Sequence, residues 1–209
     1  MNWSRQLVSG NQQFIIIADN LSLDFLNTQI VEDGKPKDLL NNFEDFADWA
    51  EAVKLLEPIQ TEEFIRDADG LSETRKFFTD LKEFRRILRE MVEAIIKSKT
   101  IKPSTVKMIN GILSQGYGYH ELVKTESGFE KRFRTNFAKP QQLLIPIAES
   151  AADLISYGNS KNLKKCEGQT CILYFYDITK NHGRRWCSMN ACGNRAKAAA
   201  FYKRSRKRK

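Results

Sequence analysis

The sequence predicts a mainly α protein of the α+β class: a helical N-terminal domain carrying a small β-hairpin, then a small cysteine-rich module that ends in a basic helix. Three observations predict it. Apolar residues recur at three- and four-residue steps through most of the first 160 positions, the period drops to two between Tyr117 and Thr135, and all four cysteines fall in the last quarter. A chain of 209 residues with 41% hydrophobic and 29% charged side chains can bury a core, so disorder of the whole is excluded.

The elements follow in order. Phe14 to Ala18 reads as a short buried strand, and LSLDFLNT, Leu21 to Thr28, favours a helix over a continued strand. Asn41 and Asn42 offer an N-cap for FEDFADWAEAVKLLE, whose Phe43, Phe46, Ala47, Ala50, Val53 and Leu56 form one stripe that Pro58 stops. Ser72 caps a long helix through Phe77, Leu81, Phe84, Leu88, Met91 and Ile95, which predicts the central core helix. Pro103 and Gly116 bracket a further helix through Val106, Ile109 and Leu113. YHELVKT, ESG and FEKRFRT read as a hairpin around Gly128, and Pro140 and Gly158 delimit the last helix of the domain, with Pro146 near its first turn. The polar stretch GNSKN sets the boundary: residues 1–159 form one domain, expected to fold by itself, and residues 160–209 the other.

Charge divides at the same place. Residues 161–209 hold 14 Lys and Arg against 2 acids, so the net charge of +8 leaves the first 160 residues near −4. Excess cations packed into one end form an electrostatic footprint for a polyanion. The apolar stretches, Phe14 to Ala18 among them, are far too short to span a bilayer, and the first five residues do not open a signal peptide; the expected location is cytoplasmic.

In a reducing compartment, clustered thiols hold metal more often than they form disulfides. Cys166 and Cys171 in CEGQTC, and Cys187 and Cys192 in CSMNAC, stand 15 residues apart and make a zinc-ribbon-like pattern. Four thiolates close a tetrahedral site without an open position, so one structural Zn(II) per chain is expected; a disulfide pairing and unliganded buried thiols are the alternatives. ILYFYDIT between the pairs reads as a short strand and KNHGRRWC as a turn; His182 could replace one thiolate, and His120 reads as an ordinary strand residue. No nucleophile and base pair and no glycine-rich phosphate loop stands out, and the chain is not expected to be an enzyme.

RRWCSMNACGNRAKAAAFYKRSR resembles the CGNR zinc finger, whose tetrapeptide stands here as Cys192-Gly193-Asn194-Arg195. LSLDFLNT, and DLL followed by FADWAEAVKLL, resemble the ABATE domain that precedes this finger in bacterial proteins. The resemblance implies a helical domain with a zinc-binding C-terminus and a family described as stress-induced transcription regulators that bind nucleic acid. Where relatives commonly carry His before Tyr in the last helix, this chain has Phe201 before Tyr202.

On this reading the second cysteine pair fixes the start of the final helix. Arg184, Arg185, Arg195, Lys197, Lys203, Arg204, Arg206, Lys207 and Arg208 are the candidate contacts to DNA or RNA, with Trp186, Phe201 and Tyr202 as stacking surfaces. For Trp186 packing of the zinc module, and for Arg195 bonding to the knuckle, are the competing roles. Asp24 and Asn27, polar among apolar neighbours, suggest either a buried hydrogen-bond network, the preferred reading, or a ligand pocket. A homodimer and an unknown small-molecule effector are the further partners the helical domain would serve. The competing function is a protein-interaction adaptor whose basic zinc module binds an acidic protein partner.

Overall fold

The computed structural model describes residues 6–9, 12–68, 72–116, 118–135 and 139–206. Seven helices and four antiparallel two-stranded ribbons occur among them, in the predicted mainly α arrangement. The strands β1 (Gln6–Ser9) and β2 (Gln12–Ile15) pair first, so the strand expected over Phe14 to Ala18 is shifted towards the N-terminus and ends at Ile15. Helix α1 (Leu21–Leu26) begins at an Asn20 cap whose side chain accepts the Leu23 N–H, as the helical reading of LSLDFLNT expected.

Two elements escape the periodicity reading. Strands β3 (Gln29–Glu32) and β4 (Lys35–Asp38) form a hairpin whose turn residues Asp33 and Gly34 both have positive φ, 51° and 78°. An Asp-Gly pair supplies that geometry, which matches the right-handed twist of the flanking strands. Helix α2 (Phe43–Ala52) is capped by Asn42, which accepts the Asp45 N–H at 2.8 Å, but it ends before Val53 and Leu56. Helix α3 (Pro58–Ala68) then starts at the very proline expected only to stop α2, because proline at a helix's first position needs no N–H donor.

Helix α4 (Ser72–Ile96) is the spine. Its Phe77, Leu81, Phe84, Leu88 and Met91 are all buried, and Phe77 stacks edge-on to Phe43 and Phe46 at centroid distances of 5.5 and 5.0 Å. Helix α5 (Pro103–Leu113), the hairpin of β5 (Gly118–Thr125) and β6 (Gly128–Thr135), a 3-10 turn and α6 (Ile145–Ser156) complete the domain. Pro146 sits in the first turn of α6, where it is tolerated. The C-terminal module contributes β7 (Leu163–Lys165), β8 (Tyr174–Tyr176) and, after a π-helical turn over Met189–Gly193, helix α7 (Asn194–Arg206). Among the described residues no helix is long and apolar enough to cross a membrane.

The buried apolar cluster runs through position 159 without a break: Leu163, Tyr174 and Phe175 belong to the same core as Phe25, Leu88 and Ala148. Helix α1 packs against both α6 and β8, and α4 against β7. The polar stretch GNSKN, exposed at Asn159 to Lys161 and buried at Asn162, therefore runs over a shared interior, which local composition cannot reveal.

Candidate metal centre and basic helix

The cysteine module is built around two short loops brought together by backbone pairing. Cys166 N–H donates to the Leu173 carbonyl at 2.9 Å, and Glu167 N–H donates to the Arg185 carbonyl at 3.0 Å, so the first loop is tied to the residues leading into the second. Gly168 is required there: a Cβ at that position would lie 2.9 Å from Cys192 Sγ and 3.1 Å from Cys171 Cβ. The four sulfurs of Cys166, Cys171, Cys187 and Cys192 all fall within 4.8 Å of one another.

Their spacing fits a metal. A tetrahedron of thiolates about 2.3 Å from one zinc ion has edges of about 3.8 Å. The Cys171 to Cys187 and Cys187 to Cys192 separations are 3.8 and 3.6 Å, far outside the roughly 2.05 Å of a disulfide. Hydrogen bonds from neighbouring thiols, with the N–H groups of Cys187 and Gly168, push the Cys166 thiol down. The same pairing with Cys166, joined by burial, raises Cys171 to about 12 and raises Cys187 as well. Packed thiols cannot all ionise alone, whereas a divalent cation lets all four do so. When bound, zinc supplies a closed structural cross-link and no open position for chemistry.

Donors around the sulfurs complete the site. Cys187 N–H reaches Cys166 Sγ at 3.2 Å, and Gly168 N–H reaches it at 3.4 Å. Arg195, the second residue of α7, donates from Nη2 to Cys192 Sγ at 3.1 Å. That bond raises the pKa of its guanidinium, and places positive charge where four thiolates around one divalent ion leave excess negative charge. Arg195 thus takes the knuckle-bonding role that competed with a phosphate contact. His182 lies outside the cysteine set; its Nδ1 donates to the Asp177 carbonyl at 2.9 Å.

The tie between module and helical domain uses residues from both. Asn27 Nδ2 donates to the Tyr174 carbonyl and Asn27 Oδ1 accepts the Tyr174 N–H, both at 2.9 Å and both buried. Asp24 Oδ1 accepts the N–H groups of Ile17 and Ala18 at 2.9 Å each, and the Ala18 carbonyl in turn accepts the Tyr176 N–H. Burial pushes the Asp24 carboxyl up to about 7, against the pull of those two N–H donors. Asp24 and Asn27 therefore form a hydrogen-bond network and not a ligand pocket. Neither lines the cleft of about 440 Å³ beside the cysteines, which is walled by Ile17, Ile30, Val31 and Leu173.

Arg184 requires a correction. Its guanidinium donates to the Ile17 and Cys187 carbonyls at 2.9 and 2.6 Å and to Asp19 at 2.9 Å, and it stacks over Phe175 at 4.2 Å. With the side chain only 8% exposed, it is a bolt between the module and the segment before α1, not a phosphate contact. Trp186 is half-buried against the core cluster, with Arg185 over its ring at 4.9 Å and the Arg185 guanidinium paired to Glu167. Packing of the module accounts for Trp186.

Sequence reading missed the module's hub. Asp177 is fully buried and accepts from Lys164 Nζ at 2.7 Å, Thr179 Oγ1 at 2.6 Å and the Arg184 N–H at 2.8 Å. Burial opposes its ionisation, yet these donors hold its carboxyl well below the usual carboxylate range. It also missed Glu93 of α4, which accepts from Lys165 Nζ at 2.8 Å and from the Tyr174 hydroxyl at 2.5 Å. For Asp177 the signal in the sequence was an acid, one of two, in an otherwise basic segment, and Glu93 carried none.

Helix α7 stands apart. None of its residues is buried, and it packs chiefly on the turn that precedes it. Lys197, Lys203, Arg204 and Arg206 are exposed and make no ion pair among the described residues, while Phe201 and Tyr202 are 61% and 68% exposed. Lys207 and Arg208 lie outside the described residues.

Two family models match the chain. One is the CGNR zinc finger, over residues 162–205. The other is ABATE, described as "Putative stress-induced transcription regulator", over residues 19–158. Among curated proteins no match is found.

Proposed function

The chain belongs to the ABATE family and ends in a CGNR zinc finger that holds one structural zinc ion, and from that premise we propose that it is a non-catalytic transcription regulator that binds nucleic acid through α7. The observation that carries this reading is the state of that helix: Lys197, Lys203, Arg204 and Arg206 make no ion pair among the described residues and lie on a helix with no buried residue, anchored at its start by Cys192. A helix of 13 residues with no buried face is marginal alone, so its cost is offset by a ligand. Exposed cations support a polyanion as that ligand, since each phosphate they neutralise releases counterions. Phe201 and Tyr202 add faces on which bases stack. The metal centre makes no contact with the polyanion; it fixes where α7 begins. A cytoplasmic location follows from this role.

Fluorescence anisotropy with labelled duplex DNA and with RNA tests the reading. Replacing Lys203, Arg204 and Arg206 together by Ala should weaken binding to all sequences alike and flatten the plot of log K against log salt by about one per lost phosphate contact. No binding by the zinc-loaded protein to either polymer at low salt, together with co-purification of an acidic protein, would sink it in favour of the adaptor.

A further inference from the structure

The β5–β6 hairpin projects from the helical domain; among the described residues its only extensive packing is between its own two strands. Isolated two-stranded ribbons are marginal in water, so one this long, 8 residues on each side, calls for something to lie on.

Its two faces differ in kind. Residues directly opposite in an antiparallel pair share a face, and Leu122 lies opposite Lys131 while Lys124 lies opposite Phe129. With His120 these make one face on which no acid stands, and His120, Leu122, Lys124, Phe129 and Lys131 are all exposed. The other face places Glu121 opposite Arg132, and Arg132 Nε donates to Glu130 at 3.0 Å, so its charges are compensated within the ribbon. Its Glu121 and Val123 are half-buried. The first face alternates cation and apolar group in both directions, with Leu122 and Phe129 exposed to 69% and 70%. Neither Lys124 nor Lys131 makes an ion pair among the described residues.

Resting on the nucleic-acid reading above, we infer that this face is a second contact to the same polymer: a β-ribbon arm that lies in a groove of duplex nucleic acid. A two-stranded ribbon fits a duplex groove, Lys124 and Lys131 suit the flanking phosphates, and apolar side chains such as Leu122 and Phe129 near the tip wedge at base steps. A protein partner with an acidic surface would satisfy the lysines, but Leu122 and Phe129, diagonal neighbours, would gain little from it, since a lysine stands on either side of them. A mixture of this kind suits a groove, where phosphates line the walls and base edges the floor.

The test uses the full-length, zinc-loaded protein and its Lys124→Ala/Lys131→Ala and Phe129→Ala variants, all at exposed positions and each checked for an unchanged thermal midpoint and zinc content. Titration of a 30-base-pair duplex should show the double variant binding on the order of tens-fold more weakly at 0.1 M salt, with a salt slope smaller by about two. Phe129→Ala should keep the slope and lose bending of the duplex, read by energy transfer between end labels. If the parent protein binds duplex and the double variant matches it in affinity and slope, the arm makes no contact and only this inference falls. If the parent binds no duplex, the regulator reading falls and takes the arm with it. If Phe129→Ala instead abolishes self-association in sedimentation equilibrium while duplex binding is unchanged, the face joins copies of the chain and the inference is overturned.

Discussion

The side-chain amide of Asn27 pairs with both backbone groups of Tyr174, donating to its carbonyl and accepting from its N–H at 2.9 Å each. An amide at the end of α1 thus stands in for a strand residue beside β8, and joins two parts of the chain 147 positions apart.

Asn27→Ala leaves the buried N–H and carbonyl of Tyr174 without partners. The expected loss is about 2–4 kcal/mol, from two unmet backbone groups at about 1–3 kcal/mol each with partial access of water. Urea unfolding of the zinc-loaded protein measures it; a change below half a kcal/mol would show that the pairing is dispensable.

Removing residues 160–209 strips Leu163, Tyr174 and Phe175 from the shared core, each contributing about 1.5–3 kcal/mol by burial. The fragment 1–159 should therefore lose much of its cooperative thermal transition and bind a hydrophobic dye. A sharp transition near that of the whole chain would mean that the helices close over the gap and fold by themselves, as composition alone suggests.

Arg195→Gln keeps the helix and removes the guanidinium that donates to Cys192 Sγ. Loss of a partner of a ligating sulfur typically lowers metal affinity about 10-fold to 100-fold. Competition with a chromogenic chelator should show that drop, whereas one zinc per chain should still be found by elemental analysis at neutral pH; equal affinity of variant and parent would assign the contact no role.

Glu93 provides a pH test. Its hydrogen bond from Lys165, with those from Lys97 and Tyr174, holds the carboxyl down to about 2 against an ordinary value of 4.5. A depressed pKa means stability that is present above the unfolded value and lost as pH falls through the folded one. The stability advantage of the parent over Glu93→Gln, about 1–3 kcal/mol near neutrality, should hold above pH 5 and shrink as pH falls from 4.5 towards 2. A difference independent of pH would show that shape, not charge, joins α4 to β7 and β8.

Arg184→Met separates two kinds of arginine. Its partners Asp19, Ile17 and Cys187 are all internal, so the variant should unfold earlier yet keep the salt slope of nucleic-acid binding. A flattened slope would return Arg184 to the set that faces phosphate.

Some of this was legible locally and some was not. Helices α4 and α6 are legible because their apolar side chains recur with the helical period, and the cysteine set because metal ligation needs few residues in short loops. Helix α3 and the β3–β4 hairpin were missed although Pro58 and the Asp33-Gly34 pair mark them, since a proline reads equally as a stop or a start and a four-residue strand carries almost no period.

The sequence by itself determined the helical class, the four ligands and the basic end of the chain, all properties of residue type and near spacing. Only the tertiary structure decided which polar groups are shared between the parts. Arg184 and Arg204 are the same residue in a basic segment, but one is locked beneath Phe175 and Asp19 and the other stands in solvent. Asn27, Asp24 and Glu93 likewise take their meaning from β8, from the segment before α1 and from Lys165. A hydrogen bond is specified by where its two ends meet in space, and folding alone brings together ends that lie more than a hundred residues apart.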